Sequence, residues 1–476
     1  MKMSGRFGAE VILERLEGAS RSGEGAAAPG EVPFREAARA WARIGLQSFG
    51  GPAGQIAVMH RILVEEKRWI DERSFLHALN YCILLPGPEA QQLAVYVGWL
   101  LHGYRGGVVA GTLFVLPGFV TILALSVLYA GLQRTGLVGT IFFGLKAAVL
   151  AIVVEAVIRI GRRVLKNGLL IGIAALAFLA LFLYQTPFPL VILAAAILGL
   201  SGRFFLPAAL DATDGGTAGG DRAAGEGGAA APGPGGRPGA PPPLIRSLRV
   251  LAVHLPLWLA PTILLAVTLG PANVYVQVGA FFSKAAVVTF GGAYAVLAYI
   301  AQQAVAVHGW LRPGEMLDGL GMAETTPGPL IMVVQFVGFM AAYRNPGAMP
   351  PMIAGCLGAI LTTWVTFVPC FLWIFLGAPY VEALRGRRGL NAALTAVTAA
   401  VVGVILNLAV WFALHVLFGE VGRAEGPLGT SLLAPVGGTL DAPALLITAG
   451  ALVAVVGFRV GIFKVLAVCT LVGLFF

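Results

Sequence analysis

Two short motifs that break helices each occur twice in this chain. Pro86-Gly87-Pro88 returns as Pro327-Gly328-Pro329, and Phe49-Gly50-Gly51 returns as Phe290-Gly291-Gly292, both 241 residues further on. In an apolar run, a Pro-Gly-Pro removes two backbone donors, clashes with the preceding turn and adds a residue without side-chain restraint. Pro88 and Pro329 then suit the first position of a new half-helix. The amides of Glu89, Ala90 and Gln91, and those of Leu330, Ile331 and Met332, are left without intrahelical acceptors. Such an end carries about half a positive charge that lipid cannot satisfy, so it must face protein, water or an anion. Phe-Gly-Gly makes a weaker break, helped in the first copy by Pro52. A single break of either kind reads as a packing kink; duplicated breaks at matching positions point to a transport site.

Polar residues recur at the same offset. Arg43 matches Lys284 and Ser48 matches Thr289, so each half has a cation about a turn and a half before its Gly-Gly and a hydroxyl just before it. A charge at the centre of a span costs about 2.5–3.5 kcal/mol on insertion scales, so it is paired, snorkels to the interface or lines a path. Glu155 and Glu324 are the carboxylates such a cation could pair with. Glu89 and Glu324 flank the two Pro-Gly-Pro breaks, where a carboxylate serves proton coupling, caps a broken helix end or pairs with Lys146 or Arg159. The functional alternative is an anion site built from both copies: Arg43, Ser48, Gly50, Gly51, Pro86, Gly87, Pro88 and Glu89 with Lys284, Thr289, Gly291, Gly292, Glu324, Pro327, Gly328 and Pro329. Six histidines show no metal-ligand spacing, and no phosphate loop or nucleophile motif precedes a soluble catalytic fold. The sequence therefore predicts no metal, no cofactor and no enzymatic turnover.

These motifs sit in a chain that reads as membrane-embedded. Of its 476 residues, 58% are apolar and 12% charged, with a mean hydropathy of +0.85; a soluble protein carries roughly 25% charge. The apolar runs of about 20 residues do not alternate, which excludes a β-barrel. Cys82, Cys356, Cys370 and Cys469 all lie in apolar stretches, unlike a disulfide framework. The net charge of +9 comes mostly from short loops, the pattern of topology determinants and not of nucleic-acid binding.

The predicted fold is an all-α polytopic membrane protein of two inverted repeats. Residues 1–32 read as a disordered cytoplasmic tail without a cleaved signal, 33–205 as the first repeat and 206–247 as a flexible Gly/Ala/Pro-rich cytoplasmic linker. Residues 248–270 form a linking transmembrane helix and 271–476 the second repeat. Roughly 13 spans follow, about six membrane elements in each repeat. The clusters at Arg159–Lys166, around the linker and at Arg385–Arg388 place one side in the cytoplasm, with the N-terminus and linker there and the chain in the cell (inner) membrane; the charged segment from His60 to Ser74 fits this less well. Seven crossings separate equivalent points, and an odd number inverts the second copy.

The doubled motif set resembles the chromate ion transporter family in its two-domain form. The resemblance rests on Ser48-Phe49-Gly50-Gly51-Pro52, Trp69-Ile70, Leu85 through Ala94, Phe114-Val115-Leu116-Pro117, Lys284, Thr289 through Gly292, Trp310-Leu311, Asp318-Gly319-Leu320 and Glu324 through Pro329. It covers nearly all the chain from Phe34, and it adds Gln92 and Thr326 to the candidate set. It implies efflux of chromate, with sulfate as the chemically similar competitor and the lipid bilayer as surroundings, and leaves a homo-oligomer open. Ala323-Glu324-Thr325 stands where the family often has Gly-Gln before its Thr-Pro-Gly-Pro, which leaves substrate preference open. Another oxyanion on the same scaffold, a channel and a non-transporting scaffold are the competing readings.

Overall fold

The computed structural model describes residues 32–83, 85–132, 137–205, 244–290, 293–378, 388–426 and 430–475. The Pro and Gly breaks divide the apolar runs into more helices than spans. In chain order these are α1 Phe34–Gln47, α2 Pro52–His60, α3 Glu72–Ile83, α4 Glu89–Leu132, α5 Leu137–Val164, α6 Gly168–Tyr184, α7 Phe188–Phe205 and α8 Leu244–Leu269. There follow α9 Val274–Val288, α10 Ala293–Gln302, α11 Glu315–Thr325, α12 Val333–Arg344, α13 Pro351–Gly377, α14 Arg388–Leu417, α15 Ala442–Leu452 and α16 Ile462–Gly473. A small antiparallel hairpin, β1 Val421–Glu425 and β2 Ser431–Pro435, lies between α14 and α15.

Among the described residues five helices are long and apolar enough to cross a membrane, within α4, α5, α8, α13 and α14. At 1.5 Å per residue, the 26 residues of α8 span about 39 Å, more than the roughly 30 Å hydrocarbon core. The 14 residues of α1 reach only about 21 Å. Leu176, Leu190, Leu193, Leu264 and Val267 are each more than half exposed, an apolar surface that water would penalise and lipid accepts. The chain is an all-α polytopic membrane protein.

The sequence repeat is also a backbone repeat. A π-helical turn, Arg61–Glu66, follows α2, and another, Gln303–Val307, follows α10. Each closes through the same bonds: Lys67 N–H to Ile62 O and His308 N–H to Gln303 O, both 2.9 Å. The left-handed residue next in line is Arg68 (φ 52°) in one copy and Gly309 (φ 62°) in the other. The helix after each Pro-Gly-Pro then turns back on itself. In α4 this happens at His102 and Gly103, which leave helical geometry; in the second copy α12 and α13 are separate. Both turns press backbone on backbone at glycines: a Cβ on Gly98 would lie 2.5 Å from Gly106 O, and one on Gly338 would lie 3.0 Å from Gly358 O.

Two compact units result, and each draws on both repeats. Among the described residues, the first comprises those within 32–130, 244–293 and 322–378, the second those within 131–205, 294–321 and 388–475. In the first, Trp41, Ile44, Met59, Leu63, Phe75 and Phe114 are almost fully buried in one apolar cluster. His60 Nε2 bonds Glu72 Oε2 at 2.6 Å, which ties the end of α2 to the start of α3. In the second unit α14 packs against α5, α6 and α7, and α15 and α16 pack against α5. Lys146 Nζ on α5 lies 3.4 Å from the buried Asp318 Oδ1 on α11, an ion pair inside that unit.

The glycine contacts lead to a stability prediction. Gly358→Leu must push α12 and α13 apart, because even a Cβ there would come 2.6 Å from Ala342 Cβ. Overpacking of this kind costs about 1–3 kcal/mol, so the midpoint of thermal unfolding in detergent should fall by several degrees. Ser201→Ala on the exposed side of α7 should leave it unchanged.

Candidate functional site

The duplicated breaks meet in the first unit, each copy of one motif against the opposite copy of the other. At the end of α1 the Ser48 hydroxyl donates to Ile44 O at 2.7 Å, and Phe49 N–H donates back to Gln47 O at 3.2 Å. At the end of α9 the Thr289 hydroxyl donates to Ala285 O at 2.6 Å, and Phe290 N–H donates to Val288 O at 3.1 Å. Both hydroxyls are buried and serve the same purpose, closing a helix end by returning to the fourth carbonyl before them. The backbone at Ser48 (φ −84°, ψ 87°) and at Thr289 (φ −77°, ψ 89°) is the tight inverse-γ conformation in both copies.

That geometry turns the Ser48 and Thr289 carbonyls off their helices, and each accepts from the other repeat. Gly328 N–H donates to Ser48 O at 2.7 Å, and Gly87 N–H donates to Thr289 O at 2.8 Å. The two bonds exchange under the 241-residue offset, each being the counterpart of the other. An isolated antiparallel bridge between Phe49 and Pro327 extends the first of them. Gly87 (φ 121°) and Gly328 (φ 103°) adopt backbone that a side chain would strain. They are also crowded: a Cβ on Gly87 would come 2.9 Å from Cys370 Sγ, and one on Gly328 would come 2.9 Å from Gly118 Cα. Gly118 and Cys370 themselves follow Pro117 and Pro369 in the two repeats, so this contact is reciprocal as well.

The side chains that secure the two crossings differ. Gln55, buried in α2, donates from Nε2 to Gly50 O at 2.6 Å and to Gly328 O at 2.9 Å, holding both sides of the first crossing with one amide. Its counterpart in α10 is Val296. At the second crossing Gln92 Nε2 donates to Pro86 O at 2.7 Å. Gln335, buried in α12, donates to Phe119 O at 3.0 Å. Gln55, Gln335 and Cys370 were not among the residues the motifs pointed to, although a lone amide in an apolar span beside a break is a visible signal for Gln55.

The structure thus brings Ser48, Gly50, Pro327 and Gly328 together at one crossing and Pro86, Gly87, Gln92 and Thr289 at the other. Gly51 caps α2, Pro88 and Pro329 precede their half-helices, and Glu89 lies in the first turn of α4. Glu324 and Thr326 are buried at the end of α11, where the Thr326 hydroxyl reaches Ala323 O at 3.4 Å. Gly291 and Gly292 lie outside the described residues. The two cations are not drawn into the crossings. Arg43 Nη1 pairs with Glu66 Oε2 at 2.9 Å on an exposed surface, and not with Glu155 or Glu324. Lys284 is exposed and makes no ion pair among the described residues. Glu155 faces Arg159 at 3.4 Å one turn along α5. No three His, Cys, Asp or Glu side chains converge as metal ligands among the described residues.

Paired broken helices locked across a repeat, in an all-α polytopic membrane protein, define the class of membrane transporters with internal repeats. The profile of the chromate transporter family matches residues 35–200 and 276–474, both copies of the repeat. A chromate transport protein of Pseudomonas aeruginosa is 34% identical over 385 residues, covering 80% of this chain and 81% of that protein. A chromate transport protein of Cupriavidus metallidurans is 28% identical, covering 76% of this chain and 78% of its own length. A probable chromate transport protein of Synechococcus elongatus is 26% identical, covering 77% and 81%. No solved structure matches the chain. The chain belongs to the chromate transporter family, whose members are transporters and not enzymes.

Gln55 gives the site its own prediction. Gln55→Leu leaves the Gly50 and Gly328 carbonyls without that donor, at a cost of about 1–3 kcal/mol for the buried groups. Thermal stability in detergent should fall, and Gln55→Glu, which keeps the size but loses the N–H donors, should fall as far. A Gln55→Leu protein as stable as the parent would show that the amide does not hold the crossing.

Proposed function

We propose that this protein exports chromate, a tetrahedral oxyanion, from the cytoplasm across the cell membrane by alternating access. The observation that carries the reading is the reciprocal pair of bonds, Gly328 N–H to Ser48 O and Gly87 N–H to Thr289 O. It makes each repeat's broken helix depend on the other repeat, as expected where two copies with opposite orientation rock about a shared site. Family membership and the relatives that carry the name chromate transport protein support chromate as the substrate. In this reading the half-helix ends form the anion site, Arg43 and Lys284 draw the oxyanion toward it, and Glu89 and Glu324 are the carboxylates available for proton coupling.

Direction follows from charge. With the inside negative, expelling a dianion gains about 4.6 kcal/mol per 100 mV, twice the single-charge value, so efflux runs on the membrane potential or the proton-motive force with little further coupling. The cationic clusters at the end of α5 and around the start of α14 support an N-terminus and a central linker on the cytoplasmic side of the inner membrane.

Everted vesicles from cells expressing the protein should accumulate radiolabelled chromate when energised and stop when depolarised. Unlabelled sulfate should compete if the site reads shape and charge alone; accumulation of sulfate without chromate would reassign the substrate on the same scaffold. Stimulation by substrate on the far side separates a carrier from a channel, and absence of any oxyanion flux would overturn the proposal. Lys284→Ala should abolish accumulation while the protein still folds and inserts, with unchanged accumulation removing Lys284 from the path.

A further inference from the structure

The two-fold relation of the crossings stops at the first turn of the half-helices that follow them. After Pro88 the turn reads Glu89-Ala90-Gln91-Gln92; after Pro329 the equivalent turn reads Leu330-Ile331-Met332-Val333. The second turn is apolar and tightly buried, with no side chain that could hold an ion. Only the first carries polar side chains.

Those groups are unequally committed. Gln92 N–H closes the first helical bond, to Pro88 O at 3.0 Å, and its side-chain Nε2 is engaged with Pro86 O. The N–H groups of Ala90 and Gln91 precede that bond and have no acceptor among the described residues. The Gln91 side chain is fully buried, and neither its Nε2 nor its Oε1 has a hydrogen-bond partner among the described residues. A primary amide buried in this way forgoes all its hydrogen bonds, a cost that native structures avoid unless a ligand or water completes the site. Every Cα–Cβ bond in a helix tilts toward the N-terminus, so the Gln91 side chain leaves its backbone toward the turn that presents the open N–H groups. The broken end supplies about half a positive charge there. The first turn of α4 thus offers open backbone N–H groups, that partial charge and a buried side-chain NH2 donor, with the Glu89 carboxylate at its start.

We infer that Gln91 is a substrate-binding residue, and that its carboxamide and the open amides of Ala90 and Gln91 form a single oxyanion half-site on the first repeat only. This rests on the transport reading above and narrows it: the crossings are symmetric, whereas anion recognition is not. The donors are neutral, so the site takes a tetrahedral oxyanion by hydrogen bonds from NH groups with no permanent ion pair to release, which suits a group that must let its cargo go. The Gln91 Oε1 remains as an acceptor for water or for a proton carried on the anion.

The test is equilibrium binding of radiolabelled chromate to the full-length protein in nanodiscs. Wild type should bind one chromate per chain. Gln91→Leu and the isosteric Gln91→Glu, which lacks the NH2 donors, should each weaken binding by about tenfold or more, as for loss of a hydrogen bond to a charged group. Gln91→Leu should at the same time be no less stable to heat than wild type, because it removes an unsatisfied buried amide; a purely structural role for Gln91 predicts the reverse, lower stability with unchanged affinity. Unchanged affinity in Gln91→Leu overturns the inference while leaving transport intact. Two chromates per chain overturns the restriction to the first repeat. Wild type with no affinity for chromate, sulfate or molybdate overturns both this inference and the transport reading.

Discussion

A helix interrupted at membrane depth leaves backbone N–H and C=O groups that lipid cannot satisfy, and everything around the two breaks follows from where those groups find partners. Here the partner of each break is the opposite break. The carbonyl that Ser48 turns outward is taken by Gly328, and the one that Thr289 turns outward is taken by Gly87. Glycine is required at 87 and 328 twice over, for its positive φ and for the space beside Cys370 and Gly118. The prolines flanking those glycines withhold their own donors, so the single N–H in each Pro-Gly-Pro goes across the repeat and not along its own helix.

This arrangement explains why the first compact unit contains parts of both repeats. Bonds between the Phe-Gly-Gly break of one copy and the Pro-Gly-Pro break of the other bring the two copies together, and the first unit is the place where they do. The same logic explains the shortness of the flanking helices. A helix such as α1 ends at a break because its last carbonyls are committed elsewhere, by a returning hydroxyl and by a glycine N–H from the other copy.

Symmetry of backbone and asymmetry of side chains serve different ends. The repeated backbone gives two equivalent crossings whose hydrogen bonds are matched in kind and length. The side chains differ wherever one copy has an amide and the other an aliphatic residue: Gln55 against Val296 at the first crossing, and Glu89 through Gln92 against Leu330 through Val333 at the half-helix ends. A pseudo-symmetric scaffold can therefore hold two similar breaks while giving only one of them polar side chains.

The sequence by itself determined that the chain is a polytopic helical membrane protein, that it is built twice, and that the important positions are the duplicated Pro-Gly-Pro and Phe-Gly-Gly. Those properties are local: hydropathy over a span, a missing donor at proline, an identical spacing between copies. Helix breaks were legible for the same reason, since Pro and Gly act on their own turn. Which break meets which was decided only in three dimensions, because a hydrogen bond between Ser48 and Gly328 depends on packing across hundreds of residues. So was the commitment of the cations and amides. Arg43 and Lys284 align in sequence as a matched pair, yet one is drawn to Glu66 and the other is exposed. Gln91 and Gln92 are neighbours of the same type, and one is bonded while the other is buried with its donors unspent. Residue type gives the capacity for hydrogen bonding; burial and the position of surrounding backbone decide whether that capacity is used.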